Sequence, residues 1–141
     1  MALTPSVPEA LRWLRQAMSD LQAAHNDIRQ CCPNWVLFKV HQALEKALLA
    51  AVLCRAEAFE GHGGLMGMAQ RLEAQEPELR GLVLDVQWLC DCGVDGKATL
   101  YPNCHPFPMT PSEAFHSVDE EKVLKQAQKV LVTLKDHVGT K

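Results

Sequence analysis

Long apolar runs, an excess of basic charge and strand-like alternation are all missing from this 141-residue sequence. A membrane-spanning helix needs roughly 18 or more apolar residues, and the longest apolar run, Ala47 to Cys54, falls well short. The opening MALTPSVPEALRWLRQ has no basic head followed by an apolar stretch, so no secretory signal is expected. The formal net charge is −3, and without a basic face a duplex-DNA partner is disfavoured. A smaller phosphate-binding pocket stays open. Neither G-x-x-x-x-G-K-[ST] nor G-x-G-x-x-G occurs, no Ser/His/Asp arrangement can be picked out, and there is no internal repeat.

What is there is ordinary globular material. Hydrophobic residues make up 48% and charged residues 22%, which suits one domain over 1–141 with one core. The six cysteines are Cys31, Cys32, Cys54, Cys90, Cys92 and Cys104. An even count permits disulfides. Cys54, however, lies in an apolar helix where a thiol behaves as a small hydrophobe, so the expectation is reduced thiols and a cytoplasmic setting.

The periodicity predicts an all-α antiparallel bundle of about five helices, four long and one short. SVPE at 6–9 reads as a capping box, with Leu11, Leu14, Met18, Leu21, His25 and Ile28 as the inward stripe. Asn34 is the expected cap of a second helix running to about Phe59, apolar on nearly all sides and therefore central. GHGG at 61–64 breaks the chain before a short helix, Leu65 to about Gln75, and Pro77 opens another that stops near Gly93. A long ordered loop covers about 94–116, with TPSE at 110–113 as one helical turn. SVDE at 117–120 reads as a capping box for the last helix, whose Lys122, Lys125, Lys129 and Lys135 point outward.

The central helix carries polar residues that its apolar surround does not explain. Lys39, Gln42 and Lys46 share one side, and His41 and Glu45 lie beside them. Two readings stand: a narrow solvated strip with snorkelling lysine stems, or a pocket for an anion such as phosphate. His25, on the inward stripe, reads as a core or boundary histidine hydrogen-bonded to a neighbour. Cys90, Cys92, Cys104 and His105 have looser spacing than zinc knuckles, so no metal is expected. Arg55 and His62 have the chemistry for RNA cleavage, but they straddle a helix end and a glycine.

FKVHQALEKALLAAV, residues 38–52, resembles the core signature of HEPN domains, with Phe38, Gln42, Glu45, Lys46, Ala47 and Leu48 matching directly. LMGMAQRLEA and VQWLCDCGVDGKATLYPN are similar to the family's later segments; Tyr101 and Pro102 match there, while Leu100 and Asn103 depart. AAHNDIRQ, PNWVLFK and PFP at 106–108 look like the sacsin-type branch. The resemblance implies a two-fold homodimer whose central helices meet near the axis, with a cavity for a nucleotide such as GTP or ATP. Lys39, Gln42, Lys46 and Tyr101 would then face nucleotide, and Trp35, Phe38, His41 and Glu45 the partner copy. Many HEPN proteins cleave RNA with an R-x4-6-H motif near a late helix. Here the last helix has no arginine, so a non-catalytic domain is expected, accompanying chaperone-related modules and using neither metal nor cofactor. A metal-independent endoribonuclease and a ligand-free dimerisation module are the alternatives.

Overall fold

The computed structural model describes residues 6–55 and 63–141. They form α1 (Val7–Asn26), α2 (Pro33–Cys54), α3 (Gly64–Gln75), α4 (Leu82–Asp91), α5 (Pro111–Ala114) and α6 (Glu120–Gly139), with 3-10 turns at Pro77–Leu79 and Pro102–Cys104. No strand occurs among the described residues. The all-α bundle read from the sequence is what the chain forms, with the TPSE turn as a sixth helix.

Ser6 caps α1 by accepting the Glu9 N–H at 3.1 Å. The Glu9 carboxylate turns instead to Arg12 (2.6 Å) and the Trp13 indole (3.1 Å), so only half of the expected capping box forms. The buried stripe is Ala10, Leu14, Ala17, Leu21 and Ala24. It is turned from the expected one: Leu11 is 39% exposed and His25 lies on the surface. Three alanines let α2 pack closely against α1, since interaxial distance follows side-chain size at the contact.

Pro33 opens α2 at its first position, where a missing N–H costs nothing. Asn34 is therefore inside the helix and is not its cap. Its buried side chain donates to the Thr99 carbonyl at 3.0 Å, tying the long loop to α2. The helix runs to Cys54 with Arg55 as its C-cap; the expected end at Phe59 lies outside the described residues. α2 touches α1, α3, α5 and α6, which is why so many of its sides are apolar. Lys39 pairs with Asp27 and Lys46 with Asp20. Seven residues up α2 match seven down α1, so the two run antiparallel.

The Gly93 N–H reaches the Cys90 carbonyl and the Val94 N–H the Leu89 carbonyl, a Schellman ending for α4. Gly93 has φ +109, and a Cβ there would lie 2.5 Å from the Phe115 ring. Only glycine fits. The following loop is held by its own polar groups. Asp95 accepts the Lys97 and Ala98 N–H groups at 2.7 and 2.6 Å, and the Thr99 hydroxyl donates to the Asp95 carbonyl at 2.6 Å. Thr110 and Glu113 form a complete capping box on α5. Asp119, not Ser117, caps α6 by accepting the Lys122 N–H, because the helix begins two residues later than the SVDE pattern suggests.

Candidate functional site

Between Asn34 and Leu53 on α2, thirteen residues are buried and seven are not: Trp35, Phe38, Lys39, His41, Gln42, Glu45 and Lys46. At 3.6 residues per turn these seven fall on one continuous side of α2. They are the same seven helix residues that the sequence singles out for ligand or partner. The structure brings them together as the single uncovered strip of an otherwise enclosed helix.

One edge of the strip faces α1. There Lys39 Nζ meets Asp27 Oδ2 at 2.5 Å and Lys46 Nζ meets Asp20 Oδ2 at 2.7 Å, with Gln42 Oε1 accepting from Lys46 at 3.3 Å. Each lysine also borders a small cavity of about 220 Å³. The one beside Lys46 is walled by Arg12, Trp13 and Gln16. The one beside Lys39 is walled by Asp27, Gln30, Cys31, Cys32 and Trp35. The lysines are thus neutralised within the chain, and an incoming anion competes with two aspartates. Sequence reasoning missed Asp20, Asp27, Arg12 and Trp13. Asp20 on α1 and Asp27 at its C-cap have the same seven-residue spacing as Lys39 and Lys46 on α2, but spacing alone does not say which helix faces meet.

The other edge meets the loop after α4. A Cβ on Gly96 would come within 3.0 Å of the His41 ring, so the loop lies directly against the imidazole. Burial pushes His41 below its ordinary value; the Glu45 and Asp95 carboxylates draw it part of the way back, and Lys46 adds to the depression. Along the middle, Trp35 is 46% exposed and packs edge-on to Phe38 with ring centroids 5.8 Å apart. Tyr101 is 54% exposed, on the loop that Asn34 anchors rather than on the strip itself.

The remaining candidates do other work. His25 lines a surface groove between α1 and α6 with Met18, Leu21, Ile28 and Leu124. His105 donates from Nε2 to the Ala98 carbonyl at 2.6 Å and meets Phe115 edge-on, so it fastens the loop. Arg55 is ion-paired with the buried Glu76; His62 lies outside the described residues. Near that pair, Glu76, Glu78 and the buried His137 lie close enough to share a cation. Arg55 and Lys141 already supply positive charge to the two glutamates, and His137 Nδ1 lies 3.0 Å from Glu78.

A helical bundle built around one enclosed central helix, with a single polar–aromatic strip left open, defines the class. The chain belongs to the HEPN domain family, whose model matches residues 10–137. It is similar to human (Homo sapiens) sacsin, 33% identical over 133 residues; these are 94% of this chain and 3% of sacsin. In three dimensions it is similar to TT1696 from Thermus thermophilus, known from a crystal structure. That match has a TM-score of 0.72 at 25% identity and covers 90% of this chain and 96% of that one. No helix among the described residues is long and apolar enough to cross a membrane.

Proposed function

We propose that this HEPN domain is a non-catalytic homodimerisation module that binds a nucleotide such as GTP or ATP where two α2 strips meet. The observation that carries the proposal is the strip itself. An exposed tryptophan packed edge-on against a phenylalanine, beside lysines held in place by α1, is a poor surface to leave in water and a good one to join to its own copy. A two-fold axis beside it doubles both the apolar contact and the lysines. Trp35, Phe38, His41 and Glu45 would form the contact; Lys39, Gln42 and Lys46 would face the phosphates, with Tyr101 reaching in from the loop. Each 220 Å³ cavity has room for a phosphate group, and the second copy would complete the space for the rest. The non-catalytic reading is supported by the absence of arginine from the last helix and by the engagement of Arg55 with Glu76. The resemblance to the sacsin-type branch makes chaperone-related modules of a larger chain further candidate partners.

Light scattering over a dilution series tests assembly. A dimer is expected for the parent and a monomer for Trp35→Ser; a parent that is monomeric at high micromolar concentration sinks the proposal. Calorimetric titration with ATP, GTP and inorganic phosphate tests the ligand. A charge-assisted hydrogen bond is worth roughly 1.5–3 kcal/mol, so Lys46→Ala should weaken binding about tenfold or more at ~1.4 kcal/mol per decade. Asp20→Asn should strengthen it, because it frees Lys46. Lys135→Ala, exposed on α6, serves as the control. Cleavage of single-stranded RNA by the parent and not by Arg55→Ala would establish the ribonuclease alternative instead.

A further inference from the structure

A second surface is built on chemistry the α2 strip does not use. α4 and α6 pack against each other and leave a groove of about 700 Å³ between them. Leu84, Asp85 and Trp88 come from α4; Lys122, Lys125, Gln126 and Lys129 come from α6. Leu84 is 76% exposed, an unusual place for a leucine on a helix whose neighbours Leu82, Val86 and Leu89 are buried. The charges are one-sided, three lysines against one aspartate. Asp85 is engaged by Gln126 at 3.0 Å and by Lys129 at 3.6 Å. Lys122 lies over the Trp88 ring at 5.6 Å. Neither Lys122 nor Lys125 has a carboxylate partner among the described residues, although the chain as a whole is acidic, with a formal net charge of −3.

We propose that this groove is a docking site for an acidic peptide segment with an apolar anchor, supplied by a partner protein. Charge complementarity selects the acidic character. Leu84 and the lysine stems select the anchor, a leucine or aromatic side chain. Lys122 and Lys129 are seven residues apart on one helix, about 10 Å at 1.5 Å per residue. Carboxylates two turns apart on a helix, or about three residues apart in an extended strand at ~3.3 Å per residue, span that distance. Two other anionic partners fit less well. A nucleic-acid base needs an open ring to stack on, and Lys122 already covers Trp88. A bilayer needs a protruding surface, and this one is concave.

The test is selection of random peptides displayed on phage against the parent domain, with counter-selection against a Lys125→Glu/Lys129→Glu variant. Both lysines lie outside the buried core, so the charge reversals leave it untouched. Enrichment of sequences combining aspartate or glutamate with leucine or an aromatic residue is the expected result. A selected peptide should lose tenfold or more in affinity for Lys125→Glu and for Leu84→Ser, weaken as salt rises, and bind Lys135→Glu unchanged. Its amide shifts should map to α4 and α6 and not to α2. Enrichment without acidic residues, or binding indifferent to both substitutions, overturns the proposal. So does lysine-dependent binding of single-stranded RNA or phosphatidylserine vesicles in place of peptide.

Discussion

Individual residues show how this chain reconciles polar groups with burial. Lys39 and Lys46 do not stand free in an apolar helix; Asp27 and Asp20 receive them. Asn34 does not cap; it secures a loop 65 positions downstream. His41 is the residue with the clearest pH signature. Its imidazole is depressed below 6.5, first by burial, so the unfolded chain takes up a proton before the folded one. Stability is then complete above the ordinary imidazole value and declines as pH falls from about 6.5 toward the depressed folded value, levelling off below it. The lowered carboxyls of Glu9, Glu78 and Glu113 act in a separate window, below about 4.5. Melting temperature should therefore drop between pH 7.5 and 5.5 in the parent, and His41→Gln should flatten that part of the curve. An unchanged slope in the variant would remove His41 as its source.

Among the elements, the connections are as specific as the helices. Gly93 sits where α4, Phe115 and Leu37 converge, with positive φ and no space for a methyl group. Gly81 also has positive φ, +92, but open space around its Cβ position. The pair separates two costs. Gly81→Ala should lose only the left-handed backbone penalty, about 1–2 kcal/mol. Gly93→Ala should lose that and a further ~1–3 kcal/mol for overpacking. Urea midpoints of the two variants measure the difference, and equal losses would mean that Phe115 moves aside freely. α6 shows the same local logic at its start: the side chain that reaches the Lys122 N–H decides the first turn, and Asp119 is the one in place.

For the molecule as a whole, α2 is the organising element because four other helices rest on it. Leu48 is fully enclosed there, whereas Leu84 is 76% exposed. Leu48→Ala should destabilise the fold by about 2–5 kcal/mol, the transfer term plus a cavity. Leu84→Ala should stay within ~0.5 kcal/mol, which leaves any binding defect at the α4–α6 groove free of a folding explanation. Chemical denaturation of both variants checks the contrast; a large loss at Leu84 would mean that α4 depends on it for packing.

By itself the sequence determined the helical class, the central place of α2 and the polar side formed by Lys39, His41, Gln42, Glu45 and Lys46, because 3.6-residue periodicity and one continuous apolar surround are local properties of the chain. That Trp35 and Phe38 are less than fully buried beside them was decided by packing. Ser6 and Gly93 were legible for the same reason: caps and helix stops are written within a few residues. What only the tertiary structure decided are the pairings across elements. Lys39 and Lys46 looked free until α1 laid Asp27 and Asp20 alongside them, and His25 looked inward until three alanines turned α1. Asn34 had a cap's chemistry, but Thr99 offered its side chain a buried carbonyl. Nothing local in the chain encodes which neighbour arrives, since that follows from how helices of given side-chain size settle against one another.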